Sequence, residues 1–359
     1  MNDTLVCLGA GKSQVPVINA AMNLGYSVIA VDRDADAPGF NSADVAFNFS
    51  TYDPDSIINA LDNYFRQSAN GSHLIGIVNR SSGPPVVTAA KIAKHFNILA
   101  IPVSSAESIL NKDLLRQACT KFGIPSPKFH VVNVKDTITL AFTDYPLVVK
   151  PALSLVGKSG VSVVYNQAQY IEAISYAGDT SISGKILIED FISGSDYSFV
   201  GFVERGVVHR VCLLEEINGV DETGKVYGRG FKTHTPLPGY DIELKLDMLS
   251  QKIASSFNIK RSPFMASYRS DLAGNLYLIE IHLDIGGDAL IESLFPVALN
   301  INFPELAVKM ASGNMRFPEA IDVKPSAVMF NKGTALVSDR NFKTFTADTQ
   351  EELDMLLPL

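Results

Sequence analysis

The chain is poor in cysteine, and Cys7, Cys119 and Cys212 make an odd set with no close spacing. That excludes a disulfide framework and a zinc pattern. Cys7 lies in an apolar stretch, where cysteine acts as a small buried hydrophobe. Basic residues are also scarce, 30 Lys and Arg against 38 Asp and Glu, for a net charge of -8. A phosphate backbone needs a basic surplus, so no nucleic-acid partner is expected, although cations can still gather around one small anion. No apolar run reaches the length of a membrane span. The opening Met1-Asn-Asp-Thr4 lacks the basic segment and cleavage site of a secretory leader. A cytoplasmic protein with no membrane partner is the expectation. What is present is 47% apolar and 19% charged over 359 residues, a composition for packed structure in two or three domains.

The first hundred residues alternate strand and helix patterns. Leu5 to Leu8 predicts a buried strand, and Val15, Ile18 and Met22 share one helix face ended by Gly25. Ser27 to Asp32 and Asp44 to Phe49 predict two more strands. Asp53-Pro54 supplies an N-cap and a first-position proline for a helix to about Phe65. His73 to Asn79 predicts a fourth strand, and Pro84-Pro85 opens a helix through His95. This alternation argues for a parallel, doubly wound sheet.

From Ser104 one helix is predicted through Lys112 and Ala118, with Glu107 placed for a capping box and Gly123 closing it. After the extended Ile124-Pro-Ser-Pro127 the pattern changes. Strands are predicted at Pro146 to Pro151 and through Val164, a helix from Gln167, and a strand from Lys185 to Phe191. A hairpin of Tyr197 to Val203 and Val207 to Glu215 turns at Glu204-Arg-Gly206. Residues 218–239, rich in glycine, proline and charge, predict a long loop, either a lid or binding loop or else a disordered stretch. A helix over 241–257 and a hairpin from Met265 to Asp284 follow. The tail predicts strands near Ala327–Phe330 and Thr334–Val337 and a helix from Thr349.

Two motifs fail. Gly9-x-Gly11 with Asp32 imitates a dinucleotide fingerprint, but Gln14 stands at the third glycine. Gly11-Lys-Ser13 resembles the end of a Walker loop, with Val6 where its first glycine belongs. Neither Ser13, Ser159 nor Ser195 has a nucleophile-elbow context.

The richest stretch is Leu276 to Asp288, where Glu280, His282 and Asp284 alternate onto one strand face before Gly286-Gly287. Buried carboxylates need a metal or a partner. Three metal-capable side chains there suit divalent cations and phosphates, and they equally suit a solvent-facing polar stripe. Upstream, Lys150 ends the apolar Leu147-Val-Val, and Gly157-Lys-Ser-Gly160 joins two strands. Glu189 and Asp190 border the short apolar Phe191-Ile192, and Gly194-Ser-Asp196 follows. Gly157 to Gly160 also suit a plain turn, and Glu189-Asp190 an exposed edge. Arg229, Lys232 and His234 could clamp a phosphate or carboxylate. Arg269 is a similar candidate, and Asn79, Arg80 and Ser81 sit where open parallel sheets bind ligands.

In this order, Lys112, Lys150-Pro151, Gly157–Gly160, Glu189, Gly194-x-Asp196 and Glu280-x-His282 resemble the ATP-grasp superfamily of carboxylate–amine ligases, of the biotin carboxylase and carbamoyl-phosphate synthetase type. The resemblance implies an α/β Rossmann-like domain over 1–103 and an α+β ATP-grasp fold, with a lid over 104–183 and a large part over 184–320. Residues 321–359 would pack back on the body. It implies that Lys112 and Lys150 hold ATP phosphates and that Gly157, Lys158, Ser159 and Gly160 close over them. Glu189, Asp190, Phe191 and Ile192 would receive adenine, and Asp196 the ribose. Glu280 would bridge Mg²⁺ ions, with Mn²⁺ as a substitute, and His282 and Asp284 stand beside it. Arg269, Arg229 and Lys232 are the candidates for handling the acyl phosphate.

The implied reaction joins a small carboxylate and an amine through that intermediate, in a chain that could form a homodimer. The chain departs from the family pattern at His282, Asp284 and Ser267, which stand where Asn, Arg and a second metal carboxylate are usual. These departures motivate the alternative of a regulatory ATP-binding module with a degenerate metal site. A nicotinamide-dependent oxidoreductase would rest on Gly9, Gly11 and Asp32 alone.

Overall fold

A computed structural model describes residues 3–67, 71–135, 144–154, 157–234, 241–287, 289–317, 321–330 and 342–358. The first unit comprises β1 (Asp3–Leu8), α1 (Val15–Asn23), β2 (Ser27–Val31), β3 (Val45–Phe47), α2 (Pro54–Gln67), β4 (His73–Asn79) and α3 (Pro84–His95). Its strands pair in parallel in the order β3-β2-β1-β4. Parallel strands are buried on both faces, which explains their unbroken apolar runs. On β1, Val6 and Leu8 face Ile57, Leu61 and Ile92, whereas Leu5 and Cys7 face Val17, Ile18 and Val308. Asp53 accepts the Ser56 N–H at 3.1 Å, the cap its position predicts.

The single helix expected from Ser104 is two helices, α4 (Val103–Leu110) and α5 (Lys112–Phe122), separated by an extended Asn111. The Lys112 N–H donates to the Ala152 carbonyl at 2.9 Å, so a contact outside the helix replaces the next helical turn. The capping box does not form, because α4 begins at Val103, directly after Pro102, and has no side-chain cap. Gly123 does close α5, with φ 61 in the left-handed region.

A second, antiparallel sheet contains β5 (Phe129–Asn133), β6 (Leu147–Pro151), β7 (Ser162–Val164) and β8 (Lys185–Asp190) in the order β5-β8-β6-β7, covered by α6 (Gln167–Thr180). Strand β5 carries no clear alternation and is not predicted from sequence; pairing with β8 defines it.

The third sheet is built from β9 (Gly194–Glu204), β10 (Val207–Val220), β11 (Val226–Thr233), β12 (Arg261–Asp271), β13 (Leu276–His282), β14 (Ser326–Phe330) and β15 (Phe342–Thr346). Their order is β13-β12-β9-β10-β11-β14-β15. Helix α7 (Ile242–Ser256) and α5 cover one face through Leu246, Ile253, Leu115 and Cys119. A π-helical turn (Ala289–Leu294), α8 (Phe295–Ala298) and α9 (Phe303–Ala311) cover the other and join it to the first unit. The tail ends in α10 (Gln350–Leu356), capped by Thr349 and Glu352.

Much of the long loop expected over 218–239 is therefore strand. Asp221 Oδ1 accepts the N–H groups of Thr223 and Lys225 in the turn, and β11 pairs with both β10 and β14. Its glycines hide the strand pattern, and the β14 partner lies almost one hundred residues away. The strand expected near Thr334–Val337, Asp288 and residues 235–239 fall outside the described residues. Among the described residues no helix is long and apolar enough to cross a membrane.

Candidate active site

The second and third sheets, with Ser82 and Gly83 after β4, line a cavity of about 620 Å³. Its floor is where β6 and β8 meet α5. Lys150 and Glu189 are both buried, and Lys150 Nζ lies 2.7 Å from Glu189 Oε2. Arg116, wholly buried on α5, donates from Nε to Glu189 Oε1 at 2.7 Å and from Nη2 to the Ile279 carbonyl at 2.9 Å. Burial alone would raise the Glu189 carboxyl, but Arg116 and Lys150 hold it below the usual range. Burial pulls Lys150 down to about 8 despite Glu189. Sequence reading missed Arg116, which nothing marks on its helix.

The hinge continues through Asp190, Phe191 and Ile192, all lining the cavity. Gly194 follows with φ 149, and a Cβ there would lie 1.8 Å from the Ser270 carbonyl oxygen, so only glycine lets β9 and β12 approach here. Asp196 and Arg269 are directly opposite on those strands. Arg269 Nη1 lies 2.7 Å from both Asp196 carboxylate oxygens, its Nε donates to the Ile192 carbonyl, and its guanidinium sits over the Phe191 ring. Arg269 therefore braces the hinge, and it also lines the cavity. Asn218 Nδ2 also donates to Asp196, at 3.0 Å.

Glu280 and His282 share a face of β13, with His282 Nε2 3.2 Å from Glu280 Oε1. Lys112 Nζ lies 3.4 Å from Glu280 Oε2. Burial would lower His282, but Glu280 outweighs it and lifts the imidazole to about 9. The Glu280 carboxyl, which burial would raise, is held well below its ordinary value by His282 and Lys112. Asp284 lies beyond the strand end, accepting from Ser82 Oγ and the Gly286 N–H, each at 2.8 Å. Glu280, His282 and Asp284 all line the cavity, with Asp284 engaged by Ser82 and Gly286. Among the described residues no group of three His, Cys, Asp or Glu side chains is placed to hold a metal. Glu280 is the member whose oxygens face the cavity beside a lysine.

Because the folded His282 pKa is raised, its contribution to stability is complete below the ordinary 6.5 and is lost as pH rises through about 9. An NMR titration of the imidazole is expected to show a midpoint near 9, falling toward 6.5 in Glu280→Gln. A wild-type midpoint at or below 6.5 would show that the pair does not form in solution.

Gly157 and Lys158 line the cavity; Ser159 and Gly160 do not. Lys158 Nζ reaches Glu216 Oε2 at 3.1 Å. Arg229 and Lys232 lie on β11 and do not themselves line the cavity, although Lys232 touches Glu215, which does. Arg229 donates to the Pro358 carbonyl and Lys232 is held by Glu215 and Asp354. His234 is buried against Glu215. Strand geometry explains the difference from expectation, since a paired β11 cannot swing over the site as a loop would. Arg80 is locked by Glu292 and by the Ser13 and Gly286 carbonyls, and Asn79 pairs with Ser81. The cavity is lined instead by Ser82 and Gly83, the next two residues.

The dinucleotide reading fails in space as well. Asp32 accepts the Ala10 N–H at 2.8 Å, and the Gln14 side chain fills the glycine turn.

A parallel unit followed by two antiparallel sheets is a fold this chain shares with solved ligases and synthetases. The chain is similar to the L-amino acid ligase from Bacillus licheniformis, with a TM-score of 0.77 and 19% identity over 99% of this chain and 95% of that one. It is also similar to N5-carboxyaminoimidazole synthetase from Staphylococcus aureus, solved with ADP, with a TM-score of 0.74 and 15% identity over 99% and 97% of the two chains. By sequence it is 30% identical over 209 residues to the formate-dependent phosphoribosylglycinamide formyltransferase of Burkholderia thailandensis, covering 56% of this chain and 49% of that protein. The Synechococcus protein of the same name is 29% identical over 195 residues, 53% of this chain and 48% of its own. The chain thus spans about half the length of the curated relatives it matches. No family model matches it.

Proposed function

We propose that this chain is an ATP-dependent ligase that joins a carboxylate to an amine, or to a similar nucleophile, through an acyl phosphate. The observation that carries the reading is the convergence of Lys112, Lys150 and Lys158, from three separate elements, on one cavity that also holds Glu280 and the hinge. Phosphoryl transfer depends chiefly on positioning and charge stabilisation, which such a cluster supplies. The names of the relatives, a formate-dependent formyltransferase and several ligases and synthetases, support a carboxylate substrate.

Lys150 and Lys158 receive the phosphates, the backbone of Asp190 to Ile192 the adenine, and Asp196 the ribose hydroxyls. A substrate carboxylate oxygen attacks the γ-phosphorus, the bond to the β,γ-bridging oxygen breaks, and ADP leaves. The amine nitrogen then attacks the acyl carbon, phosphate departs, and the nitrogen loses its proton. Glu280 offers the hard oxygen donor that Mg²⁺ or Mn²⁺ prefers. Such a cation, when bound, neutralises phosphate charge and aligns the transferred group. The division into 1–103, 104–183, 184–320 and 321–359 belongs to the same proposal.

Ser267, in place of a family carboxylate, favours the second reading, a module that binds ATP without turnover. The discriminating measurement is phosphate release from ATP with Mg²⁺ or Mn²⁺ across pools of amino acids, amino sugars and small carboxylates. Release stimulated by one pool supports the ligase. Tight ATP binding with no release from any pool favours the module.

A further inference from the structure

Ser267, on β12, stands opposite Glu280 on β13 and opposite Ser198 on β9. No carboxylate projects from this position, yet one reaches it from elsewhere. Glu216, on β10, accepts from Ser267 Oγ at 2.8 Å and from Ser198 Oγ at 2.6 Å through one oxygen, and from Lys158 Nζ at 3.1 Å through the other. It lines the cavity, although its side chain is only 9% exposed. The short side chains at 198 and 267 leave room for Glu216 to cross β9 to the space beside β12.

Lys158 is the sole cation within ion-pair distance of Glu216 among the described residues, and it is also under the electrostatic influence of Glu280 and Asp196. It projects from the glycine turn next to Gly157, on the lid side of the cavity. If Lys158 moves to the phosphates of bound ATP, Glu216 is left as a buried carboxylate with two hydroxyls and no counter-charge. That arrangement is costly unless another cation replaces the ammonium.

We infer that Glu216, together with Glu280, holds the divalent cation that accompanies the nucleotide, supplying from β10 the carboxylate absent at Ser267, and that Lys158 stands in for that cation before ATP binds. Two carboxylates with phosphate oxygens and waters meet the needs of Mg²⁺, which rarely has an all-protein cage. This rests on the ATP-dependent reading above.

The test uses the full chain and Mn²⁺ as the probe, read by electron paramagnetic resonance in the presence of a non-hydrolysable ATP analogue. Binding of the analogue without metal is titrated in parallel, and circular dichroism checks folding. Glu216→Gln is expected to weaken Mn²⁺ binding at least ~10-fold while leaving metal-free analogue binding within about threefold. The exchange variant Glu216→Ser/Ser267→Glu is expected to recover most of that loss, because it returns a carboxylate to the same space from β12. Wild-type Mn²⁺ affinity in Glu216→Gln, with affinity lost in Glu280→Gln, would overturn the assignment. So would a folded exchange variant that binds the analogue but recovers no Mn²⁺ affinity. Failure of the wild type to bind the analogue at all would instead overturn the ATP-dependent reading, and the parallel titration separates the two.

Discussion

Glu280→Ala is expected to lower substrate-stimulated phosphate release by about 10³-fold, with a much smaller change in the apparent affinity for ATP. The asymmetry follows from the geometry. Glu280 is approached by Lys112 at 3.4 Å and His282 at 3.2 Å. The contacts proposed for adenine and ribose lie on Phe191, Ile192 and Asp196, which the substitution does not touch. Removing the carboxylate takes the counter-charge from Lys112 and His282 and removes a proposed anchor of the metal. The loss therefore falls on the transferred phosphoryl group, where charge redistributes in the transition state, and less on ground-state binding. Steady-state kinetics on wild type and Glu280→Ala, with Glu280→Gln beside them, measures the split. A variant that keeps activity within about tenfold of wild type would remove Glu280 from the chemistry.

Glu189→Ala is expected to cost about 3–5 kcal/mol of stability, large against the margin of most domains. Arg116 and Lys150, each 2.7 Å from Glu189, are buried with it. Removing their shared anion leaves the buried Arg116 guanidinium without its counter-charge and takes away the group that keeps the Lys150 ammonium charged. The triad also joins α5 to β6 and β8, so its loss loosens the contact that aims Lys150 into the cavity. Because the folded Glu189 pKa is depressed, its contribution is present above the ordinary 4.5 of a glutamate and is lost as pH falls through the folded value. The stability gap between wild type and Glu189→Gln should accordingly narrow in acid. Urea unfolding near neutral pH and again in acid gives both quantities. A cost under about 1 kcal/mol near neutral pH would mean that the two cations reach water when the anion is gone.

Legibility from sequence follows how locally each feature is encoded. The parallel sheet could be read because β1, β2 and β4 are apolar runs flanked by helices with proline or glycine at their ends. Lys150 could be picked out because it ends the apolar Leu147-Val-Val run. The turn at Arg205-Gly206 was also local, with φ of 52 and 85. Strand β11 escaped because Gly228 and Gly230 break its pattern and its partner β14 is distant in the chain. The break at Asn111 escaped because the bond that favours it comes from Ala152.

Residue types alone chose the elements and named most of the cavity's cations, because periodicity, capping and the end of an apolar run are written within a few neighbouring positions. Which groups face one another was decided only in three dimensions. The sheet order β13-β12-β9-β10 sets Glu280, Ser267, Ser198 and Glu216 side by side, although β12 follows β10 only after β11 and α7. The same folding places Arg116 beneath Glu189 and turns Arg269 toward Asp196. Charges pair according to distance after folding, and the sheet sets that distance where the chain order does not.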